Sequence, residues 1–519
     1  MGGESRITGN LLIKNSVLNF IGQVLTFPVA MLTIPYVVSN LGAEKYGIFV
    51  LIRVFVDYFA VCEIGLGGAV TKFIAEALGK GKTEEASRIF WTSLFSILII
   101  GVVSGTLFYF LVPYLGVSFL KVSPNAVAEM KTVFRIASLL LLGILLKSFF
   151  TGVLGAYQRF GLLNMVRTPS MIVSLIVPVV MIYLGYGLTA VVLGIVASEL
   201  VTAIVYCLIC LGIAGRKHAY LLDLNSLKSI LGFGGWLSVI KIIGCIMTNI
   251  QRLFIGSLIA VVYVTYYSIP FSLTSKIGII GVSITPVVYS ATSAFHISNR
   301  EKFEKLVGHS LKGMALLYGL LSLVLVVFSK EVILLWMGED FYRSIIVLQI
   351  LSVGMFFDGM SWIFGTFLQG IGKPKAITLV AVIQVPIDIL LTWLLIKNFG
   401  ITGAASAWAL LRGLGAGLLY LSCKRFHVLD FRFRINTNYI KGLSLILLIL
   451  LVTVLLKTLH GASLLFLVVN ALILIVGYVF VALNYLLDST QKRIVIENVK
   501  LCISVLLMRK VQGQTVQNT

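Results

Sequence analysis

Charge is what this 519-residue chain has least of. Asp, Glu, Lys and Arg make up 12% of it, about half the share in a soluble globular domain. Acids are scarcer still, with 20 Asp and Glu against 41 Lys and Arg. Long polar stretches are also missing: the largest lie near 423–440 and beyond 488, and neither is long enough to fold as a domain. A soluble enzyme is thereby excluded, because so little polar surface could not cover so apolar a core. The six cysteines (Cys62, Cys207, Cys210, Cys245, Cys423 and Cys502) are scattered. Cys207 and Cys210 form a C-x-x-C without a second pair or a nearby His, so no metal or redox centre is expected. His218, His296, His309, His427 and His460 are equally dispersed. Gly79-Lys80-Gly81-Lys82-Thr83 ends like a phosphate-binding loop, but Glu76 stands where its first Gly belongs and no strand precedes it.

What is present is apolar: 59% hydrophobic residues and a mean hydropathy of +1.04. Runs long enough to span a bilayer fall at 13–38, 46–69, 89–113, 133–156, 168–185, 188–212, 232–259, 264–295, 310–329, 345–369, 376–396, 401–422, 441–457 and 463–487. The fold class is therefore an all-α polytopic membrane protein with about 14 transmembrane helices. The first run is too long for a signal peptide and is expected to stay as the first span. With the N-terminus inside, 27 Lys and Arg fall on the inner side and 8 on the outer, with six inside spans. That bias predicts both termini in the cytoplasm. It also accounts for the +21 charge without nucleic acid. The segment from 488 reads equally well as a basic amphipathic helix on the membrane or as a disordered end.

The chain echoes itself at offsets of 213–218. Leu41-Gly42 to Gly47-Ile48-Phe49 matches Ile259-Ala260 to Thr265-Tyr266-Tyr267. Gly152 to Arg159 matches Thr366 to Lys373, and Tyr186-Gly187-Leu188-Thr189 matches Phe399-Gly400-Ile401-Thr402. Six spans fit each period, and an even number keeps both copies in one orientation. The expected domains are an N-terminal lobe (1–229), a C-terminal lobe (230–440), a helix pair (441–487) and a basic cytoplasmic tail (488–519). Parallel repeats of this kind place a transporter's site between the halves, near mid-membrane.

Eleven ionisable residues lie inside spans: Arg53, Asp57, Glu63, Lys147, Glu199, Lys241, Arg252, Lys276, Asp358, Asp388 and Arg412. Each costs about 2.5–3.5 kcal/mol at mid-membrane on insertion scales, so they must face one another or a wet cavity. Arg53 and Asp57 are four apart and share a helix face. Lys241 and Arg252 share a face and have no acid at helical spacing; Lys276 has none in its span. Glu199 and Arg412 match across the repeat, and a salt bridge between the halves there would suit a gate. The unpaired bases favour an anionic substrate, with diphosphate suited to Arg and Lys donors. Substrate-binding residues are expected at Arg53, Lys241, Arg252, Lys276, Lys147 and Arg412. Gating or ion-coupling residues are expected at Asp57, Glu199, Asp358 and Asp388. No catalytic residue and no cofactor are expected.

Three motifs carry a family resemblance. Leu41-Gly42-Ala43-Glu44-Lys45-Tyr46-Gly47 is similar to the Leu-Gly-x-x-x-Tyr-Gly motif of polysaccharide transporter family flippases. Glu63-Ile64-Gly65-Leu66-Gly67 resembles their acidic-x-Gly-Leu-Gly segment, and Gln369-Gly370-Ile371-Gly372-Lys373-Pro374 resembles the turn after their span ten. The family belongs to the superfamily of multidrug, oligosaccharidyl-lipid and polysaccharide exporters. The resemblance implies fourteen helices in two six-helix lobes plus a terminal pair, and a cationic central cavity. It implies flipping of a polyprenyl-diphosphate-linked oligosaccharide to the outer leaflet of the cytoplasmic (inner) membrane. Family members often carry an acid late in span seven, where this chain reads Asn249-Ile250-Gln251-Arg252. The partners expected are that glycolipid, membrane lipid, an H+ or Na+ coupling ion and polysaccharide-assembly proteins; a monomer suffices. A cation-coupled drug exporter of the same superfamily and a membrane glycan polymerase or ligase are the alternatives.

Overall fold

In a bilayer a chain must satisfy its own backbone hydrogen bonds, and a helix does so within one segment. The computed structural model obeys this: all its described regular elements are helical. It describes residues 26–214, 224–429, 437–460, 464–487 and 491–493, except for side chains at 61–66, 214, 224–227, 229–240, 279–284, 437–440, 458–460 and 464–465. The start of the first expected span, the Glu63 side chain and nearly all of the tail beyond 488 lie outside the described residues.

The first half comprises α1 (Thr26–Leu41), α2 (Ala43–Gly79), α3 (Thr83–Phe119), α4 (Pro124–Ala156), α5 (Phe160–Tyr183) and α6 (Leu188–Ala214). The second comprises α7 (Leu224–Leu258), α8 (Val261–Ile277), α9 (Ile279–Ser298), α10 (Arg300–Val327), α11 (Ser329–Met337), α12 (Ser344–Gly370) and α13 (Pro374–Arg425). α14 (Thr437–His460) and α15 (Leu464–Val481) follow as an antiparallel pair. Among the described residues, eight helices are long and apolar enough to cross a membrane, by length and composition alone.

Many helices overrun their apolar cores. α2 has 37 residues, about 55 Å at 1.5 Å per residue against a hydrocarbon core of about 30 Å. Its excess is polar and supports itself locally, as in the Lys72–Glu76 pair at 3.9 Å. The expected span 264–295 is broken into α8 and α9 at Gly278. Pro270 stays inside α8, where the Thr274 hydroxyl donates to its carbonyl at 3.3 Å. α13 is two limbs meeting at Gly400 (φ 62°, ψ −136°), the split that the sequence predicts there.

The repeat is visible in matched contacts. Cys210 Sγ donates to the Phe150 carbonyl and Cys423 Sγ to that of Phe364, each at 3.6 Å. The two pairs are related by the offset of the sequence echo. A second matched pair sits where α2 meets α8. Thr265 Oγ1 donates to the Ala43 carbonyl at 2.6 Å. At the equivalent place on the other side, a Cβ on Gly47 would stand 2.3 Å from the Val261 carbonyl oxygen. The two helices thus cross on a local two-fold axis, with a hydroxyl on one side and a bare backbone on the other.

That crossing lies at the end of the molecule away from the lysine-rich turns. There the halves are clasped. Lys121 donates its N–H to the Gly256 carbonyl (2.9 Å) and its Nζ to that of Leu258 (2.7 Å), while its own carbonyl accepts from Val261 (3.1 Å). The Glu44 carboxylate accepts from both the N–H and the hydroxyl of Ser123 at 2.7 Å, holding the α3–α4 connection in place. One hydrophobic core, with Ile48, Leu51, Leu120, Ile255, Val261 and Ile401, joins both halves here. At the basic end the cores separate. That around Phe90, Phe149 and Phe150 is built from the first half alone. That around Phe303, Phe367 and Leu368 takes first-half residues only from α1 and the start of α2. The result is a cleft between the halves, closed at one end and open at the basic end.

Gly47→Ala is expected to destabilise the protein by about 1–3 kcal/mol, the range for overpacking, read as a fall in thermal unfolding temperature in detergent. Gly308→Ala, with nothing within 4 Å of the new Cβ, is expected to be neutral or stabilising by up to about 1 kcal/mol.

Candidate functional site in the inter-lobe cleft

Three helices bring basic residues to the cleft. On α2, Arg53 is 75% exposed and lies 3.7 Å from Asp57, itself 42% exposed. Exposure that high for a mid-helix arginine is the mark of a wet cavity. Lys276, half-buried on α8, sits within electrostatic reach of Arg53. Lys241 on α7 is exposed. Neither lysine has an ion pair among the described residues.

Arg252, one helical turn below the closed end of α7, is the centre of the site. Its Nη1 donates to Asn249 Oδ1 at 2.8 Å, and its guanidinium lies 4.5 Å from the centroid of the Phe271 ring. Asn249 also sits beside Asp57 of α2, close enough to act on its carboxyl group. Tyr46, Tyr58 and Tyr267 lie within electrostatic reach of the guanidinium. Arg252 Nε and the Tyr58 and Tyr267 hydroxyls are sealed from solvent and make no hydrogen bond within the described protein. Asp57 and Asp388 lie within electrostatic reach of these groups, and Asp388 already accepts from Gln251 and Thr392.

The other intramembrane acids among the described side chains are engaged with partners. Lys147 Nζ donates to Glu199 between α4 and α6. Arg412 Nη1 lies 3.1 Å from Asp358 between α13 and α12, and its guanidinium covers the Trp408 ring at 5.1 Å. Trp362 Nε1 donates to the same aspartate at 3.3 Å. Asp388 is buried; its Oδ1 accepts from Gln251 Nε2 and Thr392 Oγ1, both at 2.9 Å. Glu199 and Arg412 consequently do not bridge the halves, as their matched positions suggested. A two-fold axis puts equivalent residues on opposite sides of itself, so they touch only on elements at the axis. α2 and α8 are there; α6 packs on α4 and α5 instead. In the two pairs formed in their place, Glu199 and Arg412 are repeat-equivalent with opposite charge, while their partners Lys147 and Asp358 are offset from equivalence by about one helical turn.

The ten expected site residues thus fall into two groups. Arg53, Asp57, Lys241, Arg252 and Lys276 belong to α2, α7 and α8 at the cleft, while Lys147–Glu199 and Asp358–Arg412 are pairs within one half each and Asp388 is held by neutral groups. Sequence reasoning missed the tyrosines, Phe271, Asn249 and Gln251. Aromatic residues in an apolar span carry no signal of their own; the two amides stood out only as the absence of an acid. Among the described residues no three His, Cys, Asp or Glu side chains gather to hold a metal.

A family model described as polysaccharide biosynthesis protein matches residues 41–346. A putative O-antigen transporter of Shigella flexneri is 24% identical over 412 residues, which is 79% of this chain and 96% of that protein. Among solved structures, lipid II flippase MurJ in an inward closed conformation aligns with a TM-score of 0.72 and 17% identity, over 91% of this chain and 98% of that one. An inward-facing multidrug resistance MATE family transporter of the MOP superfamily aligns with a TM-score of 0.68 and 17% identity, over 79% and 98%. Likeness at these identities is one of fold.

Lys147→Met leaves Glu199 unpaired inside the first half. It is expected to lower stability by about 1–3 kcal/mol, with part recovered in Lys147→Met/Glu199→Gln, measured by thermal unfolding in detergent.

Proposed function

The chain belongs to the polysaccharide biosynthesis protein family, and from that premise we propose that it is a flippase. It moves a polyprenyl-diphosphate-linked oligosaccharide from the cytoplasmic to the outer leaflet of the inner membrane by alternating access. The O-antigen transporter similar to it over most of its length supports a lipid-linked glycan as cargo. The observation that carries the reading is electrostatic. Among the described side chains the cleft holds four bases, Arg53, Lys241, Arg252 and Lys276, against the single acid Asp57, every other intramembrane acid being engaged with partners. Such a surface takes an anion. Diphosphate fits it, because guanidinium and ammonium groups make strong charge-assisted bonds to phosphate oxygens. The two halves correspond to lobes 1–229 and 230–440, with fourteen spans in all and both termini cytoplasmic, an orientation supported by the 27-to-8 bias of basic residues.

The cycle follows from the two ends. The cleft opens to the inner side, so the headgroup enters from the cytoplasm and meets the bases along the cleft while the polyprenyl chain stays in lipid. Release requires the α2–α8 crossing and the Lys121 clasp to part and the basic end to close. Outward movement of about two negative charges down an inside-negative potential is worth roughly 5 kcal/mol per 100 mV, enough to bias the direction. Asp388, buried and bonded by neutral groups rather than by a base, is the acid placed to exchange H+ or Na+ if a coupling ion is used.

In liposomes containing the purified protein, a fluorescent polyprenyl-diphosphate oligosaccharide is expected to change leaflet, faster under an imposed inside-negative potential. Lys241→Gln/Arg252→Gln is expected to abolish this while expression stays normal. Full activity in that variant would overturn the cationic site. Uptake of organic cations without any lipid flipping would move the assignment to drug export.

A further inference from the structure

A cavity of about 550 Å3 opens in the second half, walled by α7, α8, α12 and α13. Its size is within the range of pockets that hold small ligands, about 300–1,000 Å3. It shares a wall with the basic cluster. Phe271 lies beneath the Arg252 guanidinium, lines the cavity and meets the Trp408 ring edge-on at 5.7 Å between centroids. Thr248, one turn from Arg252, and Ser275, next to Lys276, line it as well. A ligand whose diphosphate is held by Arg252 and Lys276 therefore places the group attached to that diphosphate in this cavity.

The lining selects the chemistry. Hydroxyls of Thr248, Ser275 and Ser361 and the exposed amide of Gln369 face it. Its two charged groups, Asp358 and Arg412, neutralise each other at 3.1 Å. A second anion would meet Asp358 and a cation would meet Arg412. The three hydroxyls already donate to carbonyls of their own helices (Gly244, Ser272 and Phe357) and offer their oxygens as acceptors, which an alkyl chain would leave unused along with the Gln369 amide. A neutral polyol suits donors and acceptors alike. Trp362, 43% exposed, supplies a flat apolar surface. Its indole N–H is tied to Asp358, which sets the ring's orientation.

The first half is built differently at the matching place. Across the repeat, Asp358 corresponds to Ile144 and Trp362 to Ser148. The cavity lined there by Arg53 and Glu199 has only about 50 Å3, and the rest of its lining, including Ile52, Val56, Leu140 and Ile144, is aliphatic or aromatic. The symmetry is broken at the place where one asymmetric ligand would have to be read.

We infer that this cavity binds the neutral sugar joined directly to the diphosphate, with Trp362 stacked on the sugar ring and Asp358 and Gln369 bonding its hydroxyls. This rests on the flippase reading. The test uses the full chain and two probes, the lipid-linked oligosaccharide extracted from the host and polyprenyl diphosphate of the same chain length without glycan. Trp362→Ala is expected to weaken binding of the glycosylated lipid about fivefold to tenfold and to leave that of the bare lipid unchanged. Trp362→Phe keeps most of the affinity. Gln369→Ala, a change at an exposed side chain, repeats the selective loss on a second residue. Equal weakening of both lipids by these variants, or no weakening of either, overturns the sugar site while the flippase reading stands. A wild-type protein that binds neither lipid overturns both.

Discussion

The crossing of α2 and α8 is the contact on which the rest of the architecture hangs. Helices in a bilayer gain little from the hydrophobic effect on meeting one another and rely on close packing and hydrogen bonds. Here one side of the crossing uses the Thr265 hydroxyl on the Ala43 carbonyl, and the other uses the missing side chain of Gly47 against the Val261 carbonyl. This accounts physically for the Leu41–Gly47 segment. Gly42 turns the chain at φ 81°, Glu44 anchors the α3–α4 connection, and Gly47 admits the partner helix. The crossing closes one end of the cleft and places the two-fold axis, so it also decides which helices face the other half.

From the axis outward, charge is sorted by distance. Close to it, bases of α2, α7 and α8 gather around one acid. Farther out, each half neutralises its own charges, Lys147 with Glu199 and Asp358 with Arg412. Glu199 and Arg412 are repeat-equivalent and opposite in charge, and each is neutralised by a partner on the neighbouring helix of its own half. Ion pairs at such depth offset the cost of placing charges in the membrane, and they make the net charge of the cleft a property of three helices. A carrier of organic cations needs the opposite balance, with acids free and bases engaged.

Much of the architecture was legible in one dimension. Apolar runs marked the helices, because length and hydropathy are direct requirements of a bilayer. The echo at 213–218 marked the two halves, and atoms as specific as Cys210–Phe150 and Cys423–Phe364 repeat it. Helix ends were less legible, since a helix such as α2 continues past the hydrocarbon on polar residues. The long eighth run breaks at Gly278 and not at Pro270, whose missing N–H frees the Tyr266 carbonyl; the Ser344 hydroxyl donates to that carbonyl at 2.8 Å.

The sequence by itself determined a helical membrane chain of two parallel halves, its basic and less basic sides, and the presence of buried charges that needed partners. Only the tertiary structure decided which partners. Helical spacing reaches one turn and places Arg53 by Asp57, but Glu199 with Lys147, Arg412 with Asp358 and Gln251 with Asp388 lie 52, 54 and 137 residues apart. Those meetings depend on which helices pack side by side, and that follows from the position of the axis. The same holds for Phe271, shared between Arg252 and the polar cavity: an aromatic residue in an apolar run shows nothing of its neighbours until the helices are brought together.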